Sequence, residues 1–194
     1  MKTNKLLLLA LILVLALAAC GGGDDDGDFN LSQSISLEDP EVGIKTTVKY
    51  PDGWVASSDD GQIQFANSQE AFDAVDNDAP EGGMVIGTVA GFPVEMAAMF
   101  GAAEGAGPED IIGTFAQIFS SEGGEFGDPE TFEIDGKSAA RITGNTTVEG
   151  ETLNVVLVVV DEGDGFGMVI IMTVDDIDQY KTLAKDIAGT LEIE

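Results

Sequence analysis

Residues 153–174 read LNVVLVVVDEGDGFGMVIIMTV, two β-rich runs parted by an acidic, glycine-containing turn. A strand with one wet face alternates apolar and polar residues. Leu153 to Val160 and Phe166 to Val174 are instead apolar at successive positions, so both faces of each strand need cover. Helices packed on each side of a sheet supply that cover. The fold class expected is α/β (α+β), a sheet sandwiched between helices.

The flanking sequence extends this pair into a meander. Glu149-Gly150 is a turn, and Thr131 to Ile134 and Lys137 to Val148 flank Asp135-Gly136, a strong hairpin signal. On the C-terminal side Ile177, Tyr180, Leu183, Ala184 and Ile187 recur with helical period on one broad face. Asp175 or Asp176 is placed to cap that helix. Lys181 and Lys185 sit late in it, where cations suit the helix dipole. Gly189 ends it, and Thr190 to Ile193 is expected to return as an edge strand.

Upstream, Ile44, Thr46 and Val48 alternate with Lys45, Thr47 and Lys49, a period-2 strand. Tyr50-Pro51-Asp52-Gly53-Trp54 turns into a second strand from Trp54. Gln62 to Ala66 and Met84 to Ala90 read as a third and a fourth. Pro93 to Phe100 is expected to be helical, with Pro at the first position and apolar residues nearly all round. Pro108 opens another helix, with Glu109 and Asp110 at its positive end. Its apolar stripe is Ile111, Ile112, Phe115, Ile118 and Phe119, and Gly123-Gly124 stop it. Gly101 to Gly107 reads as a loop.

Charge and composition exclude more than they assign. The 194 residues carry 8 Lys and Arg against 36 Asp and Glu, a formal net charge of −28. Nucleic-acid binding rests on Lys and Arg neutralising phosphates, so DNA and RNA are excluded as partners. There is no histidine, which removes the commonest general base, the Ser-His and Cys-His pairs, and His-ligated zinc or iron. The single cysteine excludes an intrachain disulfide and a Cys-clustered metal.

That cysteine has a specific context. Lys2 and Lys5 precede an unbroken apolar run from Leu6 to Leu17, and Ala18-Ala19 supplies small residues before a cleavage point. The run is shorter than the roughly 20 residues a membrane span needs. Leu17-Ala18-Ala19-Cys20 resembles the lipobox of bacterial lipoproteins. The resemblance implies cleavage between Ala19 and Cys20 and acylation of the Cys20 thiol. Two or three acyl chains hold a protein on a membrane where one would not, because each buried CH₂ contributes about 0.8 kcal/mol. Gly21 to Asp28 then reads as a solvated Gly/Asp tether. The organisation expected is a signal over residues 1–19, a lipidated cysteine and tether over 20–30, and one folded domain over 31–194. Membrane lipid is the partner of Cys20, at the cell membrane or the outer membrane and facing outside the cytoplasm.

Candidate chemistry in the domain is sparse. Asp24, Asp26 and Asp28 match the first three positions of an EF-hand loop, but Phe29 and Ile35 stand where its Gly and Glu belong. Asp161-Glu162-Gly163-Asp164 is too short for such a loop. No Gly-x-Ser-x-Gly, Ser-x-x-Lys or phosphate-loop pattern is present. No catalytic residue, metal or cofactor is therefore expected. Phe92, Met96, Met99 and Phe100 form a Met/Phe cluster of the adaptable kind used at promiscuous surfaces, and they are the candidate partner surface. The core reading of the same residues is the favoured one, since apolar residues at helical spacing usually face inward.

Tyr50 to Trp54, the Gly61-to-Phe65 strand, the meander, and the ending from Asp176-x-x-x-Tyr180 to Thr190-Leu191 together resemble the PsbP-like family over about residues 40–194. The resemblance implies an antiparallel sheet between helical layers. The namesake is an extrinsic subunit of photosystem II, and a related fold binds a small GTPase in nuclear import. The theme it implies is accessory binding. The missing histidine and the scarcity of Lys and Arg depart from the photosynthetic member, so no functional residue is carried over. The reading is a membrane-anchored envelope lipoprotein acting as a non-enzymatic binding or accessory module with an envelope protein partner. The alternative is a solute- or cation-binding lipoprotein serving a membrane partner.

Overall fold

The computed structural model describes residues 29–39, 43–59, 62–73, 85–96, 105–121, 123–148 and 150–194. Ala19, Cys20 and the stretch read as signal and tether up to residue 28 lie outside the described residues, as do Met99 and Phe100.

The meander is the centre of the molecule. β8 (Lys137–Val148), β9 (Glu151–Asp161) and β10 (Gly165–Thr173) pair antiparallel in sequence order. β10 then takes β5 (Val85–Pro93) on its other side, followed by β4 (Gln62–Ala66) and β3 (Val55–Asp59). At the far edge β8 is long enough to pair with both β6 (Glu125–Phe126) and β7 (Glu130–Ile134). The result is an eight-stranded sheet in the order β3-β4-β5-β10-β9-β8-β6, with β7 also on β8. The hairpin read from Asp135-Gly136 closes as a two-residue turn between Ile134 and Lys137. Both turn residues have positive φ, 51° at Asp135 and 81° at Gly136, the geometry whose twist matches that of the flanking strands.

Both faces of the central strands are dry, as their sequence requires. Val156, Val158 and Val160 of β9 and Val169 and Ile171 of β10 point to one side. Leu157 and Val159 of β9 and Phe166 of β10 point to the other. The first side is covered by α3 (Asp178–Gly189), through Tyr180, Leu183, Ala184 and Ile187. The second is covered by α2 (Pro108–Ser121), through Ile111, Ile112 and Phe115. Fully burying one such Leu, Ile or Phe contributes about 1.5–3 kcal/mol. A short α1 (Gln69–Asp73) follows β4, its Ala71 N–H donating to Ser68 Oγ at 3.0 Å.

Beside α3 lies an element that the sequence pattern did not isolate. β1 (Gln33–Asp39), β2 (Ile44–Tyr50) and β11 (Glu192–Ile193) form a separate three-stranded antiparallel sheet, β1-β2-β11. It packs on the α3 side of the large sheet through Val48 of β2 and Leu191, both in the same core cluster as α3. Glycines permit the approach. A Cβ at Gly91 would lie 2.5 Å from Thr46 Oγ1, and one at Gly167 would lie 2.7 Å from Leu191 Cδ1.

Several expectations are corrected. Pro93 does not begin a helix. It ends β5, which runs on because Gly165 of β10 pairs with it, and a proline at a strand end sacrifices no ladder bond that the pairing needs. A single 3₁₀ turn over residues 94–96 follows. Ile118 leaves the apolar stripe of α2 and is 42% exposed. The N-cap of α3 is Ile177, without a side-chain cap; Asp176 accepts the Asp178 N–H at 3.0 Å and so turns the chain just ahead of the helix. Lys181 belongs to the first turns of α3, where it pairs with Asp178 at 2.7 Å.

Candidate functional site

The first described residues are fastened to the domain by aromatic packing. The Phe29 ring meets Trp54 edge-on, with centroids 6.1 Å apart, and stacks on Tyr180 at 6.1 Å and 28°. Trp54 in turn leans on Phe65, which is fully buried. The Asn30 carbonyl accepts the N–H groups of Ser32 (3.0 Å) and Asp52 (2.9 Å). Tyr180, in the first turns of α3, is itself held. Thr173 neighbours its hydroxyl, and the Thr173 Oγ1 accepts the Asp175 N–H at 3.0 Å. Burial, seconded by the Asp175 charge, pushes the Tyr180 phenol above its ordinary range, so it stays protonated.

Between this fastened segment, the β7–β8 turn and the end of α3 runs a groove of about 740 Å³. Phe29, Asn30 and Leu31 form one wall, and Glu133, Ile134 and Asp135 another. Lys185, Asp186, Gly189 and Thr190 complete it. Gly189 keeps the helix close to the hairpin, for a Cβ there would stand 3.2 Å from Ile134 Cγ2. The polar lining is mostly acidic, and Lys185 is its cation.

Next to the groove, two of the chain's few cations gather around one ring. Lys185 Nζ lies 5.4 Å and the Arg141 guanidinium carbon 5.9 Å from the Phe132 centroid. Arg141 pairs with Glu130, whose carboxyl it holds below the usual carboxylate range by hydrogen bond and charge, and Lys181 adds to the effect. These contacts order the β7 edge and neutralise its acids locally. They place no base beside a nucleophile.

The acidic turn Asp161–Asp164 is used by its own backbone. Asp161 Oδ1 accepts the Gly163 N–H at 2.8 Å, and the Glu162 N–H donates to the Gly165 carbonyl at 2.8 Å. The Glu162 side chain, 8% exposed, pairs with Lys137, and its Oε1 has no hydrogen-bond partner. Among the described residues no group of three or more Asp, Glu, Cys or His could hold a metal ion. Among them, too, no helix is long and apolar enough to cross a membrane.

Of the candidate partner surface, Phe92 and Met96 are among the described residues. Phe92 is 4% exposed and lies in the core under α2, its ring 5.8 Å from Phe166. The register explains this: Phe92 on β5 is directly opposite Phe166 on β10, on the face that α2 covers. Met96 is half-buried against the same cluster. The groove, by contrast, was absent from the sequence reading. Its lining comes from three segments far apart in the chain, and no local pattern joins them.

The architecture is thus an α/β sandwich with an acid-lined groove. The chain is similar to LpqN, involved in cell envelope biogenesis of Mycobacterium tuberculosis, with 13% identity over 83% of this chain and 90% of that one (TM-score 0.48). It is also similar to the cyanobacterial PsbP, CyanoP, from Synechocystis sp. PCC 6803, with 14% identity over 90% and 97% of the two chains (TM-score 0.46). A third is the Saccharomyces cerevisiae Ran-binding protein Mog1p, with 11% identity over 82% and 95% (TM-score 0.48). No family model matches the chain, and no curated protein matches it.

Proposed function

We propose that this chain is an envelope lipoprotein, anchored through acylated Cys20, whose domain is a non-enzymatic binding or accessory module. The observation that carries the reading is the order of parts in the sequence: a basic start, a short apolar run, Leu17-Ala18-Ala19-Cys20, and then a domain. The groove supports binding rather than turnover, since its acids and one lysine bring no nucleophile–base pair together. The test is Cys20→Ser. The variant should accumulate as uncut precursor, while the wild type partitions into detergent with the added mass of acyl chains. A mature wild-type protein of unmodified mass, beginning elsewhere, refutes the anchor.

A second reading, a solute-binding lipoprotein serving a membrane partner, is favoured by the groove itself. Glu133, Asp135 and Asp186 on its walls suit a ligand carrying positive charge, and Phe29 and Leu31 suit an apolar portion of it. Titration with cationic amphiphiles should then raise the thermal midpoint saturably, and Asp135→Asn with Asp186→Asn should abolish the rise. A non-saturating rise that NaCl reproduces marks screening alone.

A further inference from the structure

Asn30-Leu31-Ser32 and Asn145-Thr146-Thr147 both have the form Asn-x-Ser/Thr, the tripeptide that accepts an N-linked glycan on exported proteins. The fold places the two very differently. Asn30 and Ser32 are both exposed, and the tripeptide lies ahead of β1, outside any strand or helix. The Asn30 carbonyl accepts the Ser32 N–H at 3.0 Å, a bond across two residues that turns the chain on the surface. Asn145 is half-buried within β8, paired with Asn154 of β9 on one side and with Glu125 of β6 on the other. A transferase must take the acceptor as a free length of backbone with its side-chain amide presented. Asn145 would have to leave two ladders to comply, whereas Asn30 belongs to none. The flanking sequence separates them too. Asp28 puts an acidic residue two positions before Asn30, a feature of the acceptor in bacteria, and Thr143 stands at that place before Asn145.

We propose that Asn30 is a site of N-glycosylation and that Asn145 is not. This rests on export of the chain, which the proposed function includes, and not on acylation of Cys20. The donor is a lipid-linked oligosaccharide. Asn30 Nδ2 forms a bond to the anomeric carbon of its first sugar as the bond from that carbon to the phosphate oxygen breaks. The polyprenyl phosphate or diphosphate leaves with the electron pair, and a base of the transferase takes one Nδ2 proton. Asn30 belongs to the groove wall made with Phe29 and Leu31, so the glycan stands at the edge of the groove.

The test is peptide mass spectrometry of the full chain, purified in detergent from the membranes of its own host. Peptides holding Asn30 should carry the mass of at least one sugar, and peptides holding Asn145 should be bare. Asn30→Gln should remove the added mass, and Ser32→Ala, which keeps the asparagine, should remove it as well. Asp28→Ala should lower occupancy several-fold. Neither exposed substitution should move the thermal midpoint of the unglycosylated protein, so loss of the glycan is read apart from loss of folding. A bare Asn30 on a chain that carries acyl mass at Cys20 overturns the site and leaves the anchor standing. A glycan on Asn145 overturns the selection of Asn30. A glycan on Asn30 without acyl mass upholds the site and refutes the anchor, and an uncut chain kept in the cytoplasm overturns both.

Discussion

The two faces of the eight-stranded sheet are equally dry at their centres and are closed by different means. On one side α3 and the small β1-β2-β11 sheet lie together, and Val156, Val158, Val160, Leu183, Ile187 and Val48 are all fully buried. On the other, among the described residues, α2 is the helix that covers the centre, and its own Ile118 is left 42% exposed. An apolar run demands cover without specifying it. A helix with a small sheet reaches across several strands, whereas one 14-residue helix covers a stripe.

The largest effect expected on that comparison comes from the face once read as a partner surface. Phe92→Ala should cost about 3–5 kcal/mol in urea unfolding, the range for a phenylalanine removed from a core. A loss below about 0.5 kcal/mol would return Phe92 to the surface. On the α3 face, Gly167→Val should cost about 1–3 kcal/mol, because Leu191 has no room to retreat between β10 and α3. An unchanged midpoint would mean that the small sheet docks loosely.

Smaller effects follow from titration. Tyr180→Phe should cost no more than about 1.5 kcal/mol at neutral pH, the most one hydroxyl's polar contact contributes. Because the folded phenol lies above its unfolded value of 10.0, its contribution is whole below pH 10.0 and lost as pH rises through the higher folded value. The wild type should therefore weaken more steeply than Tyr180→Phe in alkali, as followed by circular dichroism. At the β7 edge the sign reverses. Glu130 is held below its unfolded value of 4.5, so what it contributes is present above pH 4.5 and fades as pH falls through the lower folded value. Glu130→Gln should slightly flatten the acid limb of a stability profile, and an identical limb would show the pair with Arg141 to be inert. Least of all, Ile118→Ala should stay within about 0.5 kcal/mol of wild type. A larger loss would place its side chain against a neighbour and make the two faces alike.

Much of the fold was legible because its signals are local. Asp135-Gly136, the alternation from Ile44 to Tyr50 and the spacing from Ile177 to Ile187 each specify a conformation within a few residues, and the structure has a turn, a strand and a helix there. β1 was not legible in the same way. Its run, QSISLED, is mostly exposed and polar, and it becomes a strand by pairing with β2. The groove left still less trace. Asn30, Asp135 and Asp186 are ordinary exposed polar residues in sequence, and they become neighbours when Phe29 is fastened by Trp54 and Tyr180.

The misplaced helix start at Pro93 has the same origin. A mostly apolar run satisfies a buried strand and a buried helix alike, and proline is welcome at the end of the one and the start of the other. Register with β10 settled the matter for Phe92 and Pro93. By itself the sequence determined the dryness of both sheet faces, the hairpins and the amphipathic helices, because each of these depends on neighbours in the chain. Tertiary structure alone decided which layer covers which face, that β1, β2 and β11 stand apart as a second sheet, that Phe92 is core, and where the groove opens. Those depend on contacts between segments that no local pattern joins, from Phe92 with Phe166 to Lys45 with Glu194 and Lys49 with Thr190.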